Sequence, residues 1–341
     1  MIVFPTTIEE TLAASGTIRA GGTELQERRR LPGMRTDLVD LRDTAGLDEL
    51  RFDAGGALRI GAKQRIADIG GHPEIQYLYP GFAEAAGELA TPQIRAVATM
   101  GGNLVQHNRC WYFRAPEAGA QCFKRGGSSC AAREGDHLYA ACFDLGPCVS
   151  VHPSTLGLAL LAYDGLVEVN PGGLRPVAAL FGDGSDPSRD NALAPSELVT
   201  ALVLPEPAAG EHSAYFRATS RARSEWPLVE VLARLVIKDG RIAEAGIALG
   251  GVAPVPLRAP AAEAALLGKP PTPEVLATAS AKASEGASPL PMTGYKLDLI
   301  EGTVLETLER AVARDEVALP APVSKLPRPA TDPQPQPEAT P

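Results

Sequence analysis

Five cysteines, Cys110, Cys122, Cys130, Cys142 and Cys148, crowd one segment of a 341-residue chain, and the rest of the sequence has none. Thiolates gathered by a long loop bind soft metals or undergo oxidation. Arg109, Arg114, Lys124 and Arg125 flank them, and nearby positive charge favours thiolate over thiol. None of the intervals is the two-residue spacing of zinc fingers or bacterial ferredoxins. The pattern leaves three chemistries open: an iron–sulfur cluster, a zinc ion, or reactive and structural thiols. An odd count argues against a disulfide framework.

Two glycine segments stand apart from the cysteines. Gly21-Gly22-Thr23 and Gly101-Gly102-Asn103 each read as a turn after an extended stretch. Glycine lets backbone N–H groups converge on an anion and lets a ligand approach where a Cβ would block it. Two such turns suit a pyrophosphate held from two sides. Neither the Rossmann nor the Walker glycine pattern is present, so a nucleotide would bind in another fold.

The elements that must position these residues alternate in type. Thr7 to Glu10 fits a capping box opening a helix to about residue 15, and Thr17 to Ala20 is extended. Residues 57–62 read as a strand and 81–90 as a helix. From 105 to 148 no period holds, and a structureless stretch that long needs something to pin it. Beyond Pro153 come a helix, a turn at Asp164-Gly165, a strand, the loop 183–191 and the strand 196–207. Two further strands meet at Asp239-Gly240, a strong hairpin signal. Helical patterns follow at about 259–268, 273–285 and 297–314, and the proline-dense end from Leu319 reads as disordered or extended.

A formal net charge of −9 argues against nucleic-acid binding; Arg28 to Arg30, the only dense basic run, reads as a solvated loop. The longest apolar stretch, near Leu156 to Tyr163, is too short for a membrane span, and the first residues show no signal peptide. The expected location is the cytoplasm, or the periplasm by export with a signal-bearing partner. His72, His107, His137, His152 and His212 show no triad or ligand spacing and read as structural.

In combination, "AGGTEL" (20–25), "ATMGGNL" (98–104), "NRCWYFR" (108–114), "CFKRGGSSCAA" (122–132), "PCVSVHPS" (147–154), "PSELVTALVLP" (195–205) and "LGGVAPVPLRA" (249–259) occur in the order of one family. The chain resembles the FAD-binding medium subunit of the molybdenum hydroxylases, the xanthine dehydrogenase and CO dehydrogenase flavoproteins. The cysteines point to the aldehyde oxidoreductase branch whose flavin subunit also carries a [4Fe–4S] cluster. The resemblance covers roughly residues 1–316.

It implies an α+β fold: a two-lobed FAD-binding domain of the vanillyl-alcohol-oxidase type over 1–207, with the cysteine insert at about 105–150. A small C-terminal α+β domain would span 208–316, and 317–341 would be the tail. FAD would contact Ala20, Gly21, Gly22, Thr23, Glu24, Leu25, Thr99, Gly101, Gly102, Asn103, Thr155 and Arg217. Cys110, Cys122, Cys130 and Cys148 match the cluster ligands, with Cys142 a bystander. Thr155 stands where the family usually has Asp, Arg217 where Lys is usual, and Trp226 where a smaller aromatic is common.

The implied function is electron transfer within a heterotrimer. A molybdenum cofactor-binding large subunit would oxidise an aldehyde or N-heterocycle. Electrons would pass through a [2Fe–2S] small subunit to FAD here, then to an external electron acceptor, the cofactors carrying the redox chemistry. Two alternatives stand beside it: a 4-hydroxybenzoyl-CoA reductase-like subunit with reversed electron flow, and a zinc-stapled structural subunit without flavin.

Overall fold

The computed structural model describes residues 1–31, 33, 35–115, 121–314 and 326–327. Among these, three sheets carry the architecture. Ile2–Val3, Leu38–Asp40 and Thr17–Arg19 form a small parallel sheet in that order. Leu50–Phe52, Leu58–Gly61, Leu198–Leu204, Leu166–Asn170 and Gly173–Pro176 form a second sheet, antiparallel throughout. Leu257–Arg258, Arg241–Gly250, Val229–Lys238 and Glu211–Ala218 form the third, also antiparallel.

Local chemistry sets many of the boundaries. The Thr7 hydroxyl accepts from the Glu10 amide while the Glu10 carboxylate accepts from the Thr7 amide, a complete capping box that starts the helix Ile8–Ala13. At the hairpin between the two longest strands, Asp239 and Gly240 both have positive φ, 51° and 69°. A two-residue turn of that kind matches the right-handed twist of the strands it joins.

The helix Thr155–Ala162 buries all eight residues, so no face is left polar. It must be covered on every side. One side meets the second sheet's core and the other the strands Val229–Lys238 and Arg241–Gly250, which makes it the keystone between two layers. On the third sheet lies Tyr295–Ala313, with Ile300, Val304, Leu308 and Ala311 buried at helical spacing.

Two local readings change. Gly101-Gly102-Asn103 is not a free turn but part of the helix Met100–Leu104, capped by the Thr99 hydroxyl, which accepts from the Gly102 amide at 3.2 Å. Arg28 closes the short helix Leu25–Arg28 rather than sitting in a loop, and pairs with Glu24. Most of the proline-dense tail lies outside the described residues. Within it, Leu326 packs against the main core and the Pro327 carbonyl accepts from the Phe52 amide at 3.0 Å.

Candidate functional site

A cavity of about 710 Å³ opens between the small parallel sheet and the second sheet, within the range usual for a bound cofactor. All twelve positions named above for FAD, from Ala20 to Arg217, line it. The two glycine segments face it, but their glycines are needed for packing as much as for a ligand. A Cβ on Gly21 would stand 2.2 Å from the Val97 carbonyl oxygen, and one on Gly101 would stand 2.7 Å from the Ala62 Cβ. Both glycines sit this close to their neighbours only because they lack a side chain.

The walls differ in what they leave free. The amides of Met100, Gly101, Gly102 and Asn103 donate to Gln64, Ala62 and Thr99. The Asn103 Oδ1 accepts from the Ser154 hydroxyl at 2.8 Å and the Leu156 amide at 3.2 Å, stapling this segment to the keystone helix. Asn103 nonetheless lines the cavity, as expected of a position facing the cofactor. By contrast, among the described residues the amides of Gly22, Thr23 and Glu24 have no protein acceptor. The first segment is therefore the better anion cradle. Arg217, at the far wall, gives Nη1 to the Glu88 carbonyl at 2.8 Å and Nη2 to the Glu225 carbonyl. Its buried Nε has no partner among the described residues, a cationic donor suited to an anionic cofactor.

A carboxylate stands close to the position where Thr155 replaces the usual Asp. The Thr155 hydroxyl donates to Glu230 Oε2 at 2.9 Å, and the Tyr215 hydroxyl donates to the same oxygen at 2.5 Å. Burial pushes the Glu230 pKa up, against the pull of Tyr215, Arg217 and Thr155. No local pattern marks Glu230; only the strand register brings it behind position 155.

Four of the five cysteines meet. Cys110, Cys122, Cys130 and Cys148 line one small cavity of about 10 Å³, and Cys142 does not. Cys110, Cys122 and Cys130 each precede a single helical turn, at Trp111–Arg114, Phe123–Arg125 and Ala131–Arg133. Backbone amides after each cysteine bear on its sulfur and favour thiolate, while burial raises the thiols of Cys110 and Cys122. Cys130 and Cys148 share a hydrogen bond that lowers the first, to about 5, and raises the second.

Among the described residues no group of three or more His, Cys, Asp or Glu side chains is disposed to hold a metal ion. The donor set itself, four thiols with inward amides, suits an iron–sulfur cluster. The cavity has room for about one water, so a cluster requires the Cys130–Cys148 hydrogen bond to open. Cys142 belongs to the core of the third sheet. Its amide donates to the Val252 carbonyl at 2.9 Å, and burial pushes its thiol up to about 11.

Charged contacts tie the cysteine segment to the larger cavity. The buried Asp190 carboxylate accepts from His107 Nδ1 at 2.8 Å and Asn108 Nδ2 at 3.1 Å, and pairs with Lys124 Nζ at 3.0 Å. Those three cations and donors hold its pKa well below the usual carboxylate range despite burial. Arg114 reaches Glu24 at 3.1 Å and Glu27 at 3.2 Å. The structural reading of His107 omitted its place on the cavity wall, which only the fold reveals.

The cavity, with free amides on one wall and an unpaired arginine donor on another, suits an anionic, nucleotide-type cofactor. Comparison with known proteins gives the family. The family described as the FAD binding domain in molybdopterin dehydrogenase matches residues 2–207, and the CO dehydrogenase flavoprotein C-terminal domain matches 214–311. The chain is 36% identical over 255 residues to the aldehyde oxidoreductase FAD-binding subunit PaoB of Escherichia coli (strain K12), covering 72% of this chain and 78% of that one. It is 24% identical over 264 residues to the nicotinate dehydrogenase FAD-subunit of Eubacterium barkeri, covering 76% and 74%. Its fold matches carbon monoxide dehydrogenase from Hydrogenophaga pseudoflava with a TM-score of 0.70 at 24% identity, over 92% of this chain and 96% of that one. The chain belongs to the FAD-binding subunits of the molybdenum hydroxylases, and it is an oxidoreductase subunit. FAD binding is thus the family property, and the flavin-free zinc alternative loses its ground. No helix among the described residues is long and apolar enough to cross a membrane.

Proposed function

We propose that this chain is the FAD- and [4Fe–4S]-containing electron-transfer subunit of a heterotrimeric molybdenum hydroxylase acting on aldehydes or N-heterocycles. Its partners in this reading are a molybdenum-binding large subunit and a [2Fe–2S] small subunit. The carrying observation is the arrangement just described: one cavity gathers every position expected to hold FAD, and four thiols meet beside it. Bound FAD would accept electrons from iron–sulfur centres and pass them to an external acceptor.

The chain's own residues bind and orient. Gly22, Thr23 and Glu24 offer amides to the pyrophosphate, Arg217 offers its Nε, and Thr99 with Asn103 holds the facing wall in place. Cys110, Cys122, Cys130 and Cys148 would hold the cluster, with Cys142 outside it. Residues 1–207 form the flavin unit in this reading, 208–316 the second domain and 317–341 a tail, and the assembly works in the cytoplasm or is exported with a partner.

Anaerobic purification of the tagged chain from its native host tests the proposal. Molybdenum, iron and two further chains should accompany it, and an aldehyde should bleach its flavin band. A chain that emerges alone, or flavin that no aldehyde or N-heterocycle reduces, overturns it.

A further inference from the structure

A second cavity, of about 450 Å³, lies between the two sites already described. It shares Arg109, Pro153, Glu225, Trp226 and Pro227 with the flavin cavity. On its other side it shares Cys110, Tyr112 and Ser150 with the cysteine cavity. We propose that this cavity binds a flat, uncharged two-electron acceptor of the quinone type. The inference rests on the proposed function, since it takes reduced FAD in the neighbouring cavity as the electron source.

The walls suit a planar ring. Trp111 and Tyr139 stand with ring centroids 5.7 Å apart and planes inclined by 33° at one side. Trp226 forms another, fixed by the Arg109 guanidinium 4.9 Å from its ring centroid. Val149 and Leu228 add apolar surface. Such walls gain most from a flat ring laid against their faces or edges.

Among the polar groups on the walls, Lys296 is a buried cation. Lys296 gives Nζ hydrogens to the Gly251 carbonyl at 2.6 Å and the Tyr139 carbonyl at 3.4 Å. An ammonium has three donors, so one remains for an oxygen in the cavity that Lys296 lines. A quinone carbonyl supplies that oxygen and gains negative charge as it is reduced, where a fixed ammonium stabilises it most. Charge on the walls is mixed, with Asp136, Glu225 and Glu230 set against Arg109, Arg221 and Lys296. The apolar ring faces rather than net charge therefore argue for the quinone, and a dinucleotide acceptor is the competing class in the test.

The step balances. Reduced FAD gives two electrons and one proton and returns to its oxidised form. Solvent gives the second proton, and the quinone leaves as hydroquinone.

The test uses the full chain loaded with FAD, reduced anaerobically with dithionite and mixed with 1,4-naphthoquinone by stopped flow. Flavin reoxidation should saturate with quinone concentration. Trp111→Ala and Tyr139→Ala, both at exposed positions (53% and 43%), should each raise the half-saturating concentration about ten-fold. Flavin content and reoxidation by ferricyanide should stay within about two-fold of the parent. Lys296→Met should lower the limiting rate by about ten-fold. Reoxidation that never saturates, or saturation that the aromatic substitutions leave unchanged, overturns the proposal. Flavin lost in Trp111→Ala also overturns it, because the cavity then seats the flavin itself. NAD⁺ saturating the site as the quinone does would overturn the quinone class. A chain that takes up no flavin defeats the functional reading and this one together, and shows itself before any quinone is added.

Discussion

The flavin cavity and the cysteine segment sit side by side but are held by different physics. At the cavity, glycines let neighbouring segments close on one another: Gly21 lies against the Val97 carbonyl and Gly101 against the Ala62 Cβ. Among the described residues the cysteine segment has short helical turns and one isolated β-bridge, Cys122 with Ser129, and charged side chains tie these pieces together. Arg133 reaches the Pro147 carbonyl and Asp144, Arg114 reaches the Asn108 carbonyl, and Lys124 reaches Asp190. A backbone-built site is sensitive to an added methyl. A side-chain-built site is sensitive to the loss of one charge.

Asp190 offers the largest test of that contrast. Asp190→Ala leaves Lys124, 5% exposed, without its anion, and stability should fall by about 4 kcal/mol in a denaturant melt. A change under about 0.5 kcal/mol, the scale of an ordinary surface substitution, would show that the segment is held some other way.

Gly21→Ala probes the opposite region. Its Cβ must displace the Val97 carbonyl, a cost of about 3 kcal/mol, so FAD should bind roughly a hundred-fold more weakly in a flavin titration. Iron content should hold, since no cysteine contact changes. Loss of iron with the flavin would erase the distinction between the two regions.

His152 sharpens the comparison where the regions join, between Cys148 and Thr155. Its Nδ1 accepts from the Ser154 amide at 3.2 Å, and burial pushes its pKa down to about 4. The unfolded chain, with an ordinary imidazole near 6.5, binds more protons between those values, so stability rises with pH there. On acidification from pH 7 to pH 5 this residue alone should remove about 2 kcal/mol. His152→Gln should flatten that slope in melts across the range; an unchanged slope would place the titration elsewhere.

Thr7→Ala is the smallest effect and touches neither region. Losing the cap should cost about 1 kcal/mol while flavin and iron content stay level. A fall in either cofactor would mean that the first helix bears on the sites.

Much of this was legible because it is local. The capping box, the Asp239-Gly240 hairpin and the glycine segments announce themselves within a few residues, and the ordered motifs pointed to the family before any fold was in view. What stayed hidden depends on long-range register. Glu230 reaches Thr155 only because two strands and the keystone helix pack together. Asp190 comes from a stretch that reads simply as a loop, yet it is buried against His107 and Lys124. Lys296, just ahead of the helical pattern at about 297–314, carries no sequence signal, yet it lies 1% exposed beside Gly251. The Gly101 segment misled for a related reason: its amides serve the Ala62 and Gln64 carbonyls of a neighbouring strand end, which no short window displays.

The central claim is that the four meeting cysteines, and not the fifth, hold a redox cluster beside the flavin. Iron and flavin quantified together with the low-temperature electron paramagnetic resonance spectrum of the dithionite-reduced, anaerobically purified chain test it most directly. The account predicts about four irons per FAD and a reduced-cluster signal that Cys130→Ser abolishes and Cys142→Ser leaves intact. Flavin without iron, or a single zinc in its place, would contradict it.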